Sequence, residues 1–189
     1  MRQDRRLSDY FRCALPAILL AALPLGCVAA DAAESPLSIW RVSLDAVGPI
    51  RLGMTLAQAR KAAGVALSEQ PLRGNADSWR ACHYAWPAEG AQLRLDLGLM
   101  LEQGVVTRID IATPEVATRS GARVGDAESS VIERYVGHLQ QAPAADGAPH
   151  FLIVYPDQPQ QMVFQAQDGK VTAYRIGQLP AVHYSEGCA

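Results

Sequence analysis

The residues that could do chemistry in this chain are four histidines, a few cysteines and a tight cluster of aromatics. His83, His138, His150 and His183 include no pair at i, i+4 spacing and no HExxH pattern, the arrangements that put two imidazoles on one metal. His83 adjoins Cys82, but a disulfide at Cys82 would consume the thiolate a metal needs, so no metal site is expected. His183 and Glu186 read either as an acid–base pair or as an exposed tail, and the tail is preferred. Ser129 and Ser130 fall where a helix begins, which explains serine without catalysis. Asp96 and Asp110 are sheet carboxylates of no distinctive spacing. There is no GxSxG elbow, P-loop or dinucleotide fingerprint, so no catalytic residue, no cofactor and no enzymatic activity are expected. The aromatic cluster is the one candidate binding set: Trp79, Tyr84 and Trp86 lie close along one strand, with Tyr84 and Trp86 on the same side. On a solvated face they would stack on a sugar or anchor a protein; buried, they are core, the preferred reading.

The elements that position these residues begin with Ile50–Gly64, read as a short strand, a glycine turn and a helix. Gly53 permits the positive φ that side chains with a Cβ resist. Thr55 and Gln58 form a capping box. Leu56, Ala59 and Ala63 make an apolar stripe, and Gly64 closes the helix. The device recurs at Ala122–Gly137, with Gly125 in place of Gly53, Asp126 as the expected N-cap and Ala127, Val131 and Tyr135 as the stripe. Each copy leads to a matching turn and strand, at Gly104–Ile109 and Gly169–Tyr174. Self-similarity of this kind is weighed before local features. The expected fold class is α+β: two tandem helix-plus-antiparallel-sheet repeats, residues 33–116 and 117–189, held by one disulfide.

Between these units the strands alternate. Trp79–Trp86 is one strand. Gln92–Leu101 is expected as another, with Leu93, Leu95, Leu97 and Leu99 on one face. Val105–Ala112 follows, with Val105, Thr107, Ile109 and Ile111 on a side of their own. This hairpin would gather Arg94, Asp96, Arg108 and Asp110 on the opposite face, where charges pair across strands. That face reads as a polar recognition surface or, preferably, as a wetted sheet side. Gln70–Asp77, Thr113–Gly121 and His138–Pro149 read as loops. Phe151–Tyr155, Met162–Gln165 and Lys170–Ile176 are strands, with Asp168-Gly169 a hairpin turn.

The 189 residues are 49% hydrophobic, which excludes wholesale disorder. Arg2, Arg5, Arg6 and Arg12, the apolar run Ala14–Leu25 and the small residues Ala30-Asp31-Ala32 read as a secretory signal, residues 1–32. The run is too short for a comfortable membrane span. Leu25-Gly26-Cys27 offers a rival, the end of a lipobox with Cys27 as a lipidated first residue, although Pro24 departs from that pattern. The expected location is periplasmic or secreted. The remaining 13 basic and 16 acidic side chains give a formal charge of −3, which argues against nucleic-acid binding. With Cys13 and Cys27 in the leader, Cys82 and Cys188 are left to pair. That bond would close a loop of about 107 residues, worth at most about 4–5 kcal/mol.

A strand, then Gly-Met-Thr opening a helix, then antiparallel strands resembles the unit of the β-lactamase inhibitory protein and BamE (SmpA/OmlA) families. Arg51–Arg60 carries the match and Arg123–Gly137 a looser second one. The tandem layout is more like the inhibitor family, which would have one disulfide in each half where this chain has one in all. Cys82-His83-Tyr84 and Glu186-Gly187-Cys188 resemble a strand and an ending in uncharacterised secreted bacterial proteins, some bearing a lectin label. The resemblances imply an exported, non-enzymatic protein that uses its sheet to bind a protein or envelope component. A carbohydrate-binding module and an outer-membrane lipoprotein with an assembly role are the alternatives.

Overall fold

A computed structural model describes residues 36–69, 81–89, 92–143, 147–185 and 187–188, and among these residues two sheets and two helices of seven or more residues are found. The segment expected as a leader, with Cys27, the segment Gln70–Asp77 expected as a loop, Trp79 and Glu186 lie outside the described residues. After a 3-10 turn (Pro36–Ile39) come three two-residue strands, β1 (Arg41–Val42), β2 (Ala46–Val47) and β3 (Ile50–Arg51). Helix α1 (Leu56–Ala63) leads to β4 (Ala66–Glu69), β5 (Cys82–Glu89), β6 (Gln92–Leu93), β7 (Leu97–Glu102) and β8 (Val105–Ile111). Strand β9 (Ala117–Thr118) and helix α2 (Glu128–Arg134) precede β10 (Leu139–Ala142), β11 (His150–Val154), β12 (Gln160–Gln167) and β13 (Lys170–Gln178), and a 3-10 turn (Ala181–His183) follows. The fold is α+β and mostly sheet, with one disulfide, Cys82–Cys188, whose Cα atoms are 5.5 Å apart.

The small sheet has the order β3-β2-β1-β9, with β1 and β9 parallel. The large sheet has nine strands in the order β10-β11-β12-β13-β8-β7-β5-β4, with β6 paired to β5. Its centre is the antiparallel seam where Tyr174 to Gly177 pair with Ile111 to Arg108. On either side of that seam four strands run outward in reversed chain order.

The same local hydrogen bonds occur twice. The Gly53 amide donates to the Val106 carbonyl and the Val106 amide to Met54, while Gly125 donates to Val171 and Val171 to Asp126. The two hairpins leading into β8 and β13 turn through Gln103-Gly104 and Asp168-Gly169, with positive φ at all four positions (52°, 80°, 52° and 73°), the geometry of a type I′ turn. Residues 34–189 form one compact unit.

Local chemistry explains the helices, with one correction. Thr55 accepts from the Gln58 amide and Gln58 Oε1 accepts from the Thr55 amide at 2.9 Å, so the capping box is complete. Asp126 does not cap α2. Its Oδ2 accepts instead from the Arg123 amide at 3.1 Å, and Ala127 is the N-cap with no side-chain bond. The carboxylate closes the turn before the helix, one residue too early to reach the helical amides. Leu56, Ala59 and Ala63 of α1 and Val131 and Tyr135 of α2 join one buried cluster with Leu97, Leu99, Leu101, Ile109, Ile111, Leu152, Phe164 and Ile176. Ala127, expected in the α2 stripe, is exposed.

Three expected strand patterns change. Gln92–Leu101 is not one strand: it breaks at a turn over 94–96, and Leu95 is 67% exposed rather than core. A bulge between Met100 and Leu101 then re-phases β8, so that Val106 rather than Val105 and Thr107 enters the core with Ile109 and Ile111. One extra residue on one strand flips the inward set beyond it. Finally, the expected loops at Thr113–Gly121 and His138–Pro149 contain β9 and the edge strand β10.

Candidate functional site

Helices α1 and α2 contribute to the leucine core on one side of the large sheet. The opposite side carries a shallow trough. Tyr84 and Trp86 alternate outward from β5, and their rings stack at 5.5 Å between centroids and 18° between planes. Gly98 on β7 makes this possible: a Cβ there would sit 3.1 Å from Tyr84 Cδ1 and 3.2 Å from Trp86 Nε1. The depression bounded by these rings, Leu95, Gly98, Asp110 and Ser185 encloses about 280 Å³. Leu95 and Asp110 also line a smaller one of about 70 Å³ that continues over Val163, Gln165, Ala173 and Arg175.

The polar groups here bond mostly to one another. Tyr84 Oη donates to Asp110 Oδ2 at 2.9 Å, and Arg108 Nε donates to Asp110 Oδ1 at 2.8 Å. Burial, and then the Asp110 carboxylate, push the Tyr84 phenol well above its ordinary value of 10.0. Arg108, only 5% exposed, turns its Nη1 to the carbonyls of Tyr184 at 2.6 Å and Ala181 at 3.3 Å. Arg175 Nε donates to the Val182 carbonyl at 2.6 Å, and its guanidinium lies 5.7 Å from the centre of the Phe151 ring. Burial, and then the charge of Arg108, depress the Arg175 pKa.

These two arginines hold the carboxyl-terminal segment across the sheet. His183 Nε2 meets Gln161 Oε1 at 2.7 Å, while Gln161 Nε2 donates to the Pro156 and Gln158 carbonyls. The amide is thereby oriented, and the proton between Gln161 and His183 belongs to the imidazole. Gly187 packs against the Tyr84 ring, and Cys188 closes onto β5.

The four charges expected on one wet face therefore separate. Arg108 is buried beneath the tail segment. Arg94 bonds Asp96 at 2.9 Å and Glu115 at 3.0 Å in the turn before β7, and the Arg94 bond holds the Asp96 carboxyl below its usual 3.8. The histidines do not converge: His83 is buried with Nε2 3.1 Å from Glu69 Oε1, His150 pairs with Glu128 at 3.1 Å, and His138 packs on Tyr155. Among the described residues no group of three or more His, Cys, Asp or Glu side chains is placed to hold a metal.

Of the aromatic set, Tyr84 and Trp86 come together, half-buried on the trough rather than in the leucine core; Trp79 lies outside the described residues. Gly98, Leu95 and Arg175 were not singled out for this site, and Arg108 was named only with the charges of a wet sheet face. The glycine inside a leucine run was the available signal, since glycine within a strand often marks a close approach.

An α+β chain with an aromatic trough on the sheet face opposite α1 and α2, crossed by its carboxyl-terminal segment, is what fold and site define. No family model and no curated protein sequence matches it. Among solved structures it is similar to the uncharacterized protein YfeY from Escherichia coli, at 17% identity and a TM-score of 0.45, over 73% of this chain and 99% of that one. It is also similar to an extracellular SCP-domain protein from Bacillus anthracis, at 10% identity and a TM-score of 0.39, over 68% of this chain and 44% of that one.

Proposed function

We propose that this chain is an exported, non-enzymatic binding protein, built from two copies of one helix-plus-sheet unit, that uses the trough to hold a loop of a protein partner in the cell envelope. The observation that carries the reading is the Tyr84–Trp86 pair, stacked over Gly98 beside the exposed Leu95 on the face away from α1 and α2. Half-exposed aromatics beside an apolar rim are what protein interfaces use as anchors. A sugar needs open donors and acceptors at its ring edge; here Tyr84, Asp110, Arg108 and Arg175 are already bonded to one another or to the tail. That favours a protein over a glycan.

The paired glycine-to-strand hydrogen bonds, the two I′ hairpins and the reversed strand order about the β13–β8 seam support duplication. The resemblance to the β-lactamase inhibitory protein family, whose inhibitor presents a concave sheet to a protein, agrees with this use. Disulfides persist in oxidising compartments, which supports a periplasmic or secreted location. Among the described residues no helix is long and apolar enough to cross a membrane.

The test is photo-crosslinking from position 95 in envelope extract, followed by calorimetry with the purified partner. One saturable protein partner is expected, with affinity lowered at least about tenfold by Trp86→Ala, the scale of a central anchor. A partner that binds Trp86→Ala and Leu95→Asp as tightly as the wild type would overturn the reading. So would saturable quenching of tryptophan fluorescence by cell-wall sugars with no protein captured, which would select the lectin alternative.

A further inference from the structure

A second cavity, of about 280 Å³, lies away from the trough, between the small sheet and the end of α2. Arg119, Ser120, Arg134, Tyr135, His138 and Tyr155 line it, with Ser120 Oγ donating to Tyr135 Oη at 2.6 Å, and no carboxylate is among its described lining residues. That is a notable imbalance in a chain whose formal charge is −2. Arg134 commits Nη1 to the Ser120 carbonyl at 2.9 Å, while no bonded partner of the Arg119 guanidinium is found among the described residues. The acid whose charge reaches Arg119, Asp45, is itself bonded to Ser43 and Arg51.

The apolar side is built from rings. Tyr135 and Tyr155 meet edge to face at 6.4 Å, and His138 lies 5.1 Å from Tyr155. Tyr155 holds a φ of 58°, uncommon and strained for a bulky residue outside glycine. Its amide donates to the His138 carbonyl at 2.7 Å and its carbonyl accepts from Gln158 at 3.1 Å. These bonds fix the conformation that sets the ring against the cavity. Strain of this kind, held in place by its surroundings, clusters at binding sites.

We infer that this cleft binds a small ring-bearing anion, its carboxylate or phosphate held by Arg119 and Arg134 and its ring laid against Tyr155 and His138. Guanidinium forks match both oxyanions, and the volume admits one ring with its substituent. The site shares no lining residue with the trough, so its failure would leave the proposed function standing.

The experiment is an amide NMR titration of the oxidised, exported form of the chain. The probes are phenyl phosphate, benzoate and, as the neutral control, phenol. Saturable shifts at Ser120, Gly121, His138 and Tyr155 are expected with at least one of the two anions and not with phenol. A response to phenyl phosphate alone would assign the site to phosphates, and to benzoate alone to carboxylates. Arg119→Gln should weaken binding about tenfold, the loss of one charge-assisted contact, without changing the urea midpoint, since that side chain has no bonded partner among the described residues. Arg134→Gln should weaken binding and also loosen the 119–121 loop. Silence with both anions, an equal response to phenol, or unchanged affinity in Arg119→Gln would each overturn the inference.

Discussion

Replacing Arg108 by methionine would test whether the tail is held by this side chain. The residue is buried, and its guanidinium bonds Asp110 at 2.8 Å and two carbonyls of the tail segment at 2.6 and 3.3 Å. Methionine keeps much of the stem volume and removes all of these bonds. Breaking one side of a buried ion pair costs about 3–5 kcal/mol. Asp110 keeps 29% of its side-chain exposure and retains the Tyr84 hydroxyl, so water offsets part of that cost. The expected loss is about 3 kcal/mol in urea unfolding at pH 7 with the disulfide intact. That corresponds to a fall in Tm of about 6–12 °C for a chain of this size. The slope m should not change, because the surface exposed on unfolding is nearly the same. Arg108→Lys should recover less than half, because an ammonium cannot span a carboxylate and two carbonyls. A loss below about 1 kcal/mol for Arg108→Met would refute the reasoning and leave the strap to Arg175, His183 and the disulfide.

Thr55→Ala should cost about 1 kcal/mol in urea unfolding, while Ala127→Ser should add about 0.5–1, since α1 is capped and α2 lacks a side-chain cap. Reducing Cys82–Cys188 should lower stability by up to about 4–5 kcal/mol, and limited proteolysis read by mass spectrometry should then cut between 179 and 188, where the wild type resists. Stability should also fall toward acid in two steps. Burial, and then Arg175, hold His183 below its usual 6.5 in the folded chain, so the unfolded chain takes up that proton first and stability declines as pH drops through about 6.5. Asp45, bonded by Ser43, and Asp96, bonded by Arg94, are held below 3.8, and their contribution is lost as pH falls further. His183→Gln should flatten the upper step alone in urea midpoints taken from pH 8 to 3.

What the residues disclosed in advance was local and periodic. Thr55 and Gln58 announced their cap, Asp168-Gly169 its hairpin, and two cysteines outside the expected leader their bond, because each is decided within a few residues or by elimination. The α+β class followed from capped stripes alternating with β-patterned runs. The errors have one physical origin, competition that spacing does not display. Asp126 was expected to cap α2 but satisfies the turn before it. Leu95 kept the parity of a core residue, yet the turn over 94–96 turned it out. The bulge at Met100/Leu101 altered which residues of β8 face inward. Arg108 looked like an outward charge on a wet sheet and is buried because residues more than seventy positions later cross above it. The cleft of Arg119, Arg134 and Tyr155 gathers three distant segments, and no single window of sequence contains it.

Division of labour between the two sides of the large sheet has a further consequence. The leucine core under the helices does not depend on exposed Leu95 or on Gln165 at the edge of the trough, so these two can change without disturbing it. Replacements at such positions usually shift stability by no more than about 0.5 kcal/mol. The rim of the trough is therefore free to diversify, whereas Gly98, hemmed in by two rings, is not.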